Sequence, residues 1–448
     1  MLLSSLLFGF SLGIYANETK NMQPYAVPCE AIQPQSDVLK KLTEKLTTSQ
    51  DHAQVIQQFW TDINSKHTPI IEKITDDESR LIFLWRGAQH NVRLVGGPSN
   101  DHEWLTRLPN TDIWFKESIV KNSYLGSYSF AVDLPNIDGY LSHYCPQLDQ
   151  NLKESRQQRR SLLQVLALDP SNPQTWFNPD ASKSNLRNEN LIRLSHAPQA
   201  IYLERNINRQ APNLRTIQLK SELLKNERKI QIYQSANPKN IPYVTAIFFD
   251  GEEYATLLNT ATILDLLVQQ GQLTPIQAVF VSAPNAQERP KELTPNAEFS
   301  AFFKNEFLPW LDHQIQRDNK KTVVLGSSLG GLSAAYLALE NPTQISHVVP
   351  MSGSFWWQSS ANDLPNGMSK IIRTLPNQPK QQWYVSANSY ESSRNNNGLS
   401  ILETAPIVAA DLKQQGHQVV YKSYVGGHSY ALWQVILQDA LLHFFKAE

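Results

Sequence analysis

Apolar residues in the second half of the chain occur in short runs that alternate with longer stretches of helical spacing. The runs, each bounded by polar or turn residues, are VTAIFFD, IQAVFVSAP, KTVVLGSS, ISHVVPMSG, QWYVSAN and QVVYKSYVGG. The helical stretches are Leu257–Gln270, Glu298–Gln316, Leu329–Glu340, Ile401–Gln415 and Ala431–Lys446. Near-continuous apolar strands alternating with helices are typical of a mostly parallel sheet covered on both faces. The pattern therefore predicts an α/β domain over residues 215–448.

The first half of the chain has a different pattern. Helical spacing over Asp37–Leu46 and His52–Ser65 is followed by the β-rich runs RLIFLWRG, NVRLVGG, TDIWFKESIV and GSYSFAVD. Gly, Asn, Pro and Asp separate these runs, which favours a small antiparallel sandwich. We expect a helical lead and a β-sandwich domain over residues 17–168.

Residues 169–214 are rich in Asn, Pro and Ser and contain the turn signals DPSNP and FNPD. Trp176, Phe177 and Tyr202 still require burial, so we expect an ordered connector packed across both domains rather than a free linker. Arg193 and Arg205, within this connector, would supply local positive charge for binding an anionic substrate.

The first 16 residues, MLLSSLLFGFSLGIYA, resemble the apolar region and cleavage end of a secretory signal, although no Lys or Arg precedes the run. We expect a periplasmic protein, with a cytoplasmic location as the alternative. After export, Cys29 and Cys145 could form a disulfide, whereas in the cytosol they would be two free thiols. No later stretch has the roughly 18 to 20 unbroken apolar residues of a spanning helix.

Charge and composition limit the classes of partner that the chain is expected to bind. A formal net charge of −1 offers no field for nucleic acid or anionic lipid. The two cysteines lack metal-ligand spacing and no HExxH is present, so we expect neither a metal nor another cofactor. The expected partner is a small molecule.

A nucleophile motif occurs in the α/β half. Residues 326–330 read GSSLG and fit G-x-S-x-G, with the strand KTVVL before them and the helix LGGLSAAYLALE after them. A strand-to-helix reversal at this point projects the middle serine above the sheet at the positive end of a helix. The motif predicts Ser328 as nucleophile and the N–H of Leu329 as an oxyanion donor.

A serine hydroxyl needs a base, which in this arrangement follows the last strand. His428 lies there, in YKSYVGGHSYALW, behind two glycines and before the terminal helix. Other histidines lie inside or beside regular elements without a glycine-bent loop, namely His313, His347, His417 and His443.

The acid of a triad is expected after the preceding strand. Glu391 lies in the loop that follows QWYVSA, and we favour it. Asp411 is the rival, although it falls within a predicted helix where a carboxylate usually faces solvent. Asn388 could orient an imidazole through its amide, and a Ser–His dyad with a loosely placed acid is a further alternative.

The second oxyanion donor is expected from the loop after the third core strand. AIFFDGEE ends in Asp250-Gly251-Glu252, and the glycine permits a tight turn that would aim the Glu252 N–H inward. An ordinary Asp-Gly turn is the alternative.

Several motifs, in this order along the chain, resemble the enterochelin (enterobactin) esterase family. They are TDIWFKESI with GSYSFAVD, ALDPSNPQTW, RPKELTPNAEFSAFF, SSLGGLSAAYLALENP, SGSFWW and GGHSYALW, and they cover most of the chain from about Ser79 onward. The resemblance implies an α/β-hydrolase fold preceded by a β-sandwich. It matches Ser328 and His428 to the family's nucleophile and base and places Glu391 where its acid is expected.

The same resemblance implies further site residues. The Arg-led stretch near the active site corresponds to Arg289, Glu292, Leu293 and Asn296, and the aromatic segment to Trp356 and Trp357. Arg289 and the two tryptophans are therefore expected to bind substrate, with core packing as the alternative for the tryptophans. Ser429 and Gln434 replace an expected Asp and Arg, which leaves the siderophore's identity open.

The implied activity is hydrolysis of the serine trilactone backbone of a ferric tricatecholate siderophore, by acyl transfer through Ser328. The alternative hypotheses are a carbohydrate-linked acyl or feruloyl esterase, an acyltransferase on the same fold, and a non-catalytic siderophore-binding protein. Retention of both serine and histidine argues against a binding protein.

Overall fold

A computed structural model describes residues 32–98, 103–137, 139, 156–176, 188–200, 212–358, 367–392 and 399–447. The signal-like run 1–16, both cysteines and much of the predicted connector, including Phe177, Tyr202 and Arg205, lie outside the described residues. The periplasmic location and the disulfide therefore remain predictions. No helix in the described part of the chain is both long and apolar enough to cross a bilayer.

The N-terminal half begins with two capped helices that pack on a sheet. Helix α1 spans Asp37–Thr48 and α2 spans His52–Lys66; the side chains of Ser36 and Asp51 each accept one N–H group of the first turn. Apolar residues of both helices form a cluster with Ile82 of the first sheet. This places the lead helices on the outer face of the sandwich.

Two antiparallel sheets form the sandwich. The first has the order β1-β2-β5-β4, from Ile70–Lys73, Glu78–Arg86, Ile113–Lys121 and Thr106–Arg107. The second has the order β3-β6-β9-β8, with β7 also paired to β6, from Val92–Gly96, Leu125–Val132, Glu189–Arg193, Thr175–Trp176 and Leu166–Ala167. Helix α3 spans Arg156–Leu162. Alternate residues such as Phe83 and Phe130 fill the space between the sheets.

An eight-stranded sheet dominates the second half. Its order is β10-β11-β13-β12-β14-β15-β16-β17, from Arg215–Ser221, Asn226–Gln234, Ile276–Val281, Val244–Phe249, Thr322–Ser327, His347–Met351, Gln382–Asn388 and Gln418–Tyr424. Strands β10 and β11 are antiparallel to their neighbours, and the strands from β13 to β17 are parallel. The predicted α/β-hydrolase fold with a preceding β-sandwich is confirmed.

Helices cover both faces of this sheet. They are α4 Thr260–Gln269, α5 Arg289–Glu292, α6 Ala297–Phe302, α7 Leu308–Gln314, α8 Leu329–Glu340, α9 Gly367–Thr374, α10 Ile401–Gln414 and α11 Tyr430–Phe445, with π-helical turns at Glu253–Leu257 and Phe303–Phe307 and a 3₁₀ turn at Asn319–Lys321. On the same strand, Phe248 packs toward α4 and α11, whereas Ile247 and Phe249 pack toward α6 to α10. Burial of both faces explains why these strands read as continuous apolar runs.

Three features differ from the sequence prediction. The sequence pattern does not predict the hairpin β10–β11, because charged residues interrupt its apolar positions. The helix expected over Glu298–Gln316 is divided by the π-helical turn Phe303–Phe307. Residues Glu189–Arg193, which the prediction assigned to the connector, form strand β9, and this strand pairs with β6 of the sandwich.

Candidate active site

Ser328 lies at a sharp turn between β14 and α8. Its backbone has φ 55° and ψ −121°, which is a sparsely populated region for a residue with a side chain. The Ser328 N–H donates to Met351 O at 3.1 Å, and Ser328 O accepts from the Ser354 N–H at 2.9 Å. Contacts on both sides of the turn therefore hold this conformation, with the hydroxyl at the N-terminus of a 12-residue helix.

The flanking glycines allow β14 and α8 to approach. A Cβ on Gly326 would overlap the backbone of Gly330, and one on Gly330 would lie 3.0 Å from Asp250 Oδ2. The G-x-S-x-G spacing thus has a steric cause here, since Gly326 lets α8 approach β14 and Gly330 lets it approach Asp250 at the end of β12.

His428 and Glu391 meet across two neighbouring loops. Glu391 Oε1 lies 2.7 Å from His428 Nδ1, and Glu391 Oε2 accepts the backbone N–H of Asn388 at 2.8 Å. The Glu391 side chain is almost fully buried, whereas that of His428 is 27% exposed. A buried carboxylate bonded to Nδ1 orients the ring and leaves Nε2 for proton transfer.

A buried network of hydrogen bonds among Asn388, Ser352 and Trp433 lies next to this pair. Asn388 Nδ2 donates to Ser352 Oγ at 3.1 Å and to Gly427 O at 2.9 Å. Trp433 Nε1 also donates to Ser352 Oγ, at 3.0 Å, and its ring meets that of His428 edge-on with centroids 4.7 Å apart. Asn388 therefore bonds the loop before His428 rather than the imidazole itself.

Asp411 lies elsewhere in the domain. Its carboxylate accepts from Arg373 Nε at 2.9 Å and from the Ser369 hydroxyl. Asp411 is buried, contrary to the expectation that it faces solvent, because helix α9 covers that face of α10. The structure brings Glu391, and not Asp411, to the histidine.

Ser328 and His428 line one cavity at the carboxyl ends of the strands, with a volume of about 670 Å³. The Ser328 hydroxyl lies 3.3 Å from Ser354 Oγ. Within the described residues no hydrogen bond joins Ser328 to His428; such contacts commonly tighten only when substrate is bound. The cavity can hold an ester with its carbonyl carbon at Ser328.

The cavity wall is rich in carboxylates. Glu189, Asp250, Glu252 and Glu253 line it together with Arg289. Both nitrogens Nε and Nη2 of Arg289 donate to Asp250, each at 2.6 Å. Arg289 thus reaches the cavity as predicted, but its charge is already matched by Asp250.

Two of these carboxyl groups have raised pKa values. Burial, and then the neighbouring Asp250, raise the pKa of Glu253 to about 7. Burial also raises the pKa of Glu189, which bonds the Ser127 hydroxyl. These acids are more readily protonated than exposed ones, so the wall's negative charge grows as pH rises.

The predicted oxyanion donors lie near the nucleophile. Leu329 begins α8, and its N–H belongs to the first turn, where helices leave N–H groups free of intrahelical partners. Glu252 lines the cavity after the left-handed residue Asp250 (φ 56°), and its carboxylate pairs with Lys229. The role of both N–H groups as donors stays a prediction.

Other residues implied by the family resemblance lie outside the cavity wall. Neither Trp356 nor Trp357 lines it: Trp356 is exposed, and Trp357 packs against the hydrophobic core. Glu292 forms a buried pair with Arg228 at 2.8 Å. The remaining two are structural, since Leu293 is buried in the core and Asn296 caps α6.

Sequence reasoning missed several residues of the site, among them Glu189, Asp250, Glu253, Ser354 and Trp433. Asp250 directly follows strand β12 and Ser354 stands three residues after the end of β15, so their position near strand ends was a usable signal. Glu189 comes from the sandwich, and no local pattern links it to the hydrolase. Among the described residues, no group of three or more His, Cys, Asp or Glu is arranged to hold a metal ion.

Comparisons with known proteins match both halves of the chain. The Esterase family model matches residues 221–444, and the model of the enterochelin esterase N-terminal domain matches residues 80–202. The iron(III) enterobactin esterase of Dickeya dadantii is 26% identical over 416 residues, covering 86% of this chain and 91% of the relative. That of Escherichia coli K12 is 28% identical over 320 residues, covering 67% and 76%.

A solved structure extends this likeness to three dimensions. The enterobactin esterase of Shigella flexneri, determined in the presence of 2,3-Di-hydroxy-N-benzoyl-glycine, superposes with a TM-score of 0.66 at 25% identity. The match covers 86% of this chain and 98% of that one.

Proposed function

The chain belongs to the enterochelin esterase family, and from that premise we propose that it is a serine esterase of catecholate siderophores. Its substrate is a trilactone such as ferric enterobactin, whose ester bonds it hydrolyses to release the iron. The curated relatives that match most of its length are named iron(III) enterobactin esterases.

One observation carries the chemistry. Ser328, at a strained turn, and His428, oriented by Glu391 at 2.7 Å, face the same cavity. Ligand binding alone does not require a strained serine, a helix N-terminus and an oriented imidazole directed at one cavity. The arrangement suits acyl transfer.

In the first half of the reaction, Ser328 Oγ attacks the carbonyl carbon of a seryl ester. His428 Nε2 takes the hydroxyl proton, and Glu391 stabilises the imidazolium through Nδ1–H. The N–H groups of Leu329 and Glu252 stabilise the oxyanion. Collapse of the tetrahedral intermediate breaks the ester C–O bond, and the leaving serine hydroxyl receives the proton from His428.

In the second half, water attacks the acyl-enzyme and gives its proton to His428. Collapse of the second intermediate returns that proton to Ser328 and releases a carboxylic acid. The trilactone becomes a linear chain, so the catechols are no longer preorganised around iron, and the complex is weakened.

The test is hydrolysis of iron-free and ferric trilactones by the purified protein, with products identified by mass. We expect linear products that gain one water per bond cut. Ser328→Ala should lower the rate by at least about a thousandfold while the protein stays folded, because one oxygen is removed at a solvent-facing turn. His428→Ala should act similarly, and the two losses should not add.

Other results would redirect the assignment. Cleavage of nitrophenyl acetate without cleavage of either trilactone would indicate an esterase of different specificity. Transfer of the acyl group to an added alcohol in preference to water would indicate an acyltransferase. Activity of Ser328→Ala within tenfold of wild type would reject the nucleophile.

A further inference from the structure

The two loops that carry Glu391 and His428 both rest on the N-terminal sandwich. We call residues 389–392, which follow β16, the acid loop, and residues 425–429, between β17 and α11, the histidine loop. The Leu125 N–H, at the start of β6, donates to Val425 O at 3.1 Å. A backbone hydrogen bond therefore links the sandwich directly to the histidine loop.

Two glycines of the histidine loop lie in close contact with the backbone of the sandwich. A Cβ on Gly426 would overlap Leu125 O, and one on Gly427 would lie 2.8 Å from Gly97 O. Neither Gly426 nor Gly427 has a positive φ, so a left-handed backbone is not the reason for glycine at these positions. The glycines are required because backbone atoms of the other domain occupy the space of a side chain.

The acid loop is anchored to the same domain. Tyr390, the residue before Glu391, places its ring edge-on against Tyr124, with centroids 5.5 Å apart. Its hydroxyl donates to Ile119 O at 3.4 Å. Tyr390 and Val425 both pack against the hydrophobic cluster between the two sandwich sheets. Each of the two loops thus packs one partly buried side chain against the N-terminal core.

The loops are also bonded to each other. The Tyr390 N–H donates to Gly426 O at 3.0 Å, and the Asn388 side chain donates to Gly427 O at 2.9 Å. Because Glu391 bonds His428 across the same junction, a shift of either loop changes the relation of acid to base. Hydrogen bonds and side-chain packing therefore join the two loops to each other and to the sandwich.

We infer that the N-terminal sandwich positions the acid–base pair, through its contacts with Gly426, Gly427 and Tyr390. This inference rests on the proposed serine mechanism. It assigns the domain a role in every turnover, including turnover of esters too small to touch it. A misplacement of about 1 Å at a reacting group costs about a hundredfold in rate, so loosened loops should lower kcat.

The test uses Gly427→Ala and Tyr390→Leu in the full chain, with nitrophenyl acetate as substrate. Gly427→Ala forces a methyl group against Gly97 O, and Tyr390→Leu removes the ring contact with Tyr124. Tyr390 does not line the cavity, so it cannot act by touching substrate. For each variant we expect kcat to fall about 10- to 100-fold with KM within about twofold.

Gly87→Ala is the matched control. Gly87 lies in the sandwich with φ 80°, and nothing would lie within 4 Å of its Cβ, so the substitution strains this domain without touching either loop. Its kcat should equal that of wild type despite a lower Tm. Unchanged kcat in both loop variants, or an equal loss in Gly87→Ala, would overturn the inference. Ser328→Ala, assayed in parallel, separates that outcome from failure of the serine mechanism.

Discussion

At the scale of single residues, two buried carboxylates in the hydrolase half serve different purposes. Glu391 bonds His428 at 2.7 Å, whereas Asp411, on α10, bonds Arg373 and Ser369 of α9. Both are poorly accessible, so burial alone does not distinguish them. Their partners do: one carboxylate faces the base, and the other joins two helices.

We predict that Glu391→Gln mainly lowers kcat, whereas Asp411→Asn mainly lowers Tm. Glu391→Gln should lower kcat by about a thousandfold or more, because an amide favours the wrong tautomer of His428 and does not stabilise its cation. Asp411→Asn should lower Tm and leave kcat near wild type, since it breaks an ion pair between α9 and α10. Kinetics on nitrophenyl acetate and thermal unfolding measure both.

Each variant is the other's control, since both replace a buried carboxylate by its amide. A larger loss of kcat in Asp411→Asn than in Glu391→Gln would transfer the acid role to Asp411.

At the scale of elements, a histidine links the starts of two neighbouring strands. His417 precedes β17, and its Nδ1 accepts the N–H of Gln381, which precedes β16, at 3.1 Å. Burial, and then Lys380, lower the pKa of His417 to about 4. A proton on Nδ1 would remove this acceptor, so the neutral ring is the form that fits the fold.

This pKa predicts acid sensitivity. Between pH values of about 6.5 and 4 the unfolded chain binds a proton at His417 that the folded chain does not bind. The free energy of unfolding therefore falls as pH is lowered through this range. His417→Asn keeps an acceptor without titrating, so its Tm should decline less than that of wild type between pH values of about 7 and 4.5.

His313→Asn is the control, because His313 is exposed on α7. Its Tm should follow that of wild type at every pH. A decline in His417→Asn parallel to that of wild type would show that His417 does not contribute to acid sensitivity.

At the scale of the whole molecule, both domains build the cavity. Glu189 of strand β9 lines it beside Ser328 and His428, although it lies 139 residues before the nucleophile in a different domain. A ferric tricatecholate is strongly anionic, and a carboxylate in the wall opposes it. We therefore expect the sandwich to influence substrate selectivity through Glu189.

We predict that Glu189→Gln raises kcat/KM for the ferric trilactone several-fold at a pH above 7 and leaves that for nitrophenyl acetate unchanged. The substitution removes a negative charge near a large anion but not near a small neutral ester. Steady-state kinetics with both substrates measure the difference.

Glu340→Gln is the control for overall charge, because Glu340 is exposed at the end of α8 opposite Ser328. It should change neither rate. A gain in Glu340→Gln equal to that in Glu189→Gln would remove Glu189 from the site.

The sequence alone determined the architecture and the positions of the principal reactive groups. Buried parallel strands must be apolar on both faces, so their runs stand out, and α8 was predicted with its observed bounds, Leu329–Glu340. The glycines flanking Ser328 and the two before His428 stand in the sequence as short motifs, so both reactive residues could be located from the sequence. Order along the chain placed Glu391 between the two.

Only the tertiary structure decided which groups face one another. It selected Glu391 over Asp411 as partner of His428, matched Arg289 with Asp250, and brought Glu189 into the cavity. Such contacts join residues far apart in the chain, and no periodicity or spacing encodes them. The sequence shows two glycines before His428, but the backbone of the other domain, packed against them, is the physical reason that they are there.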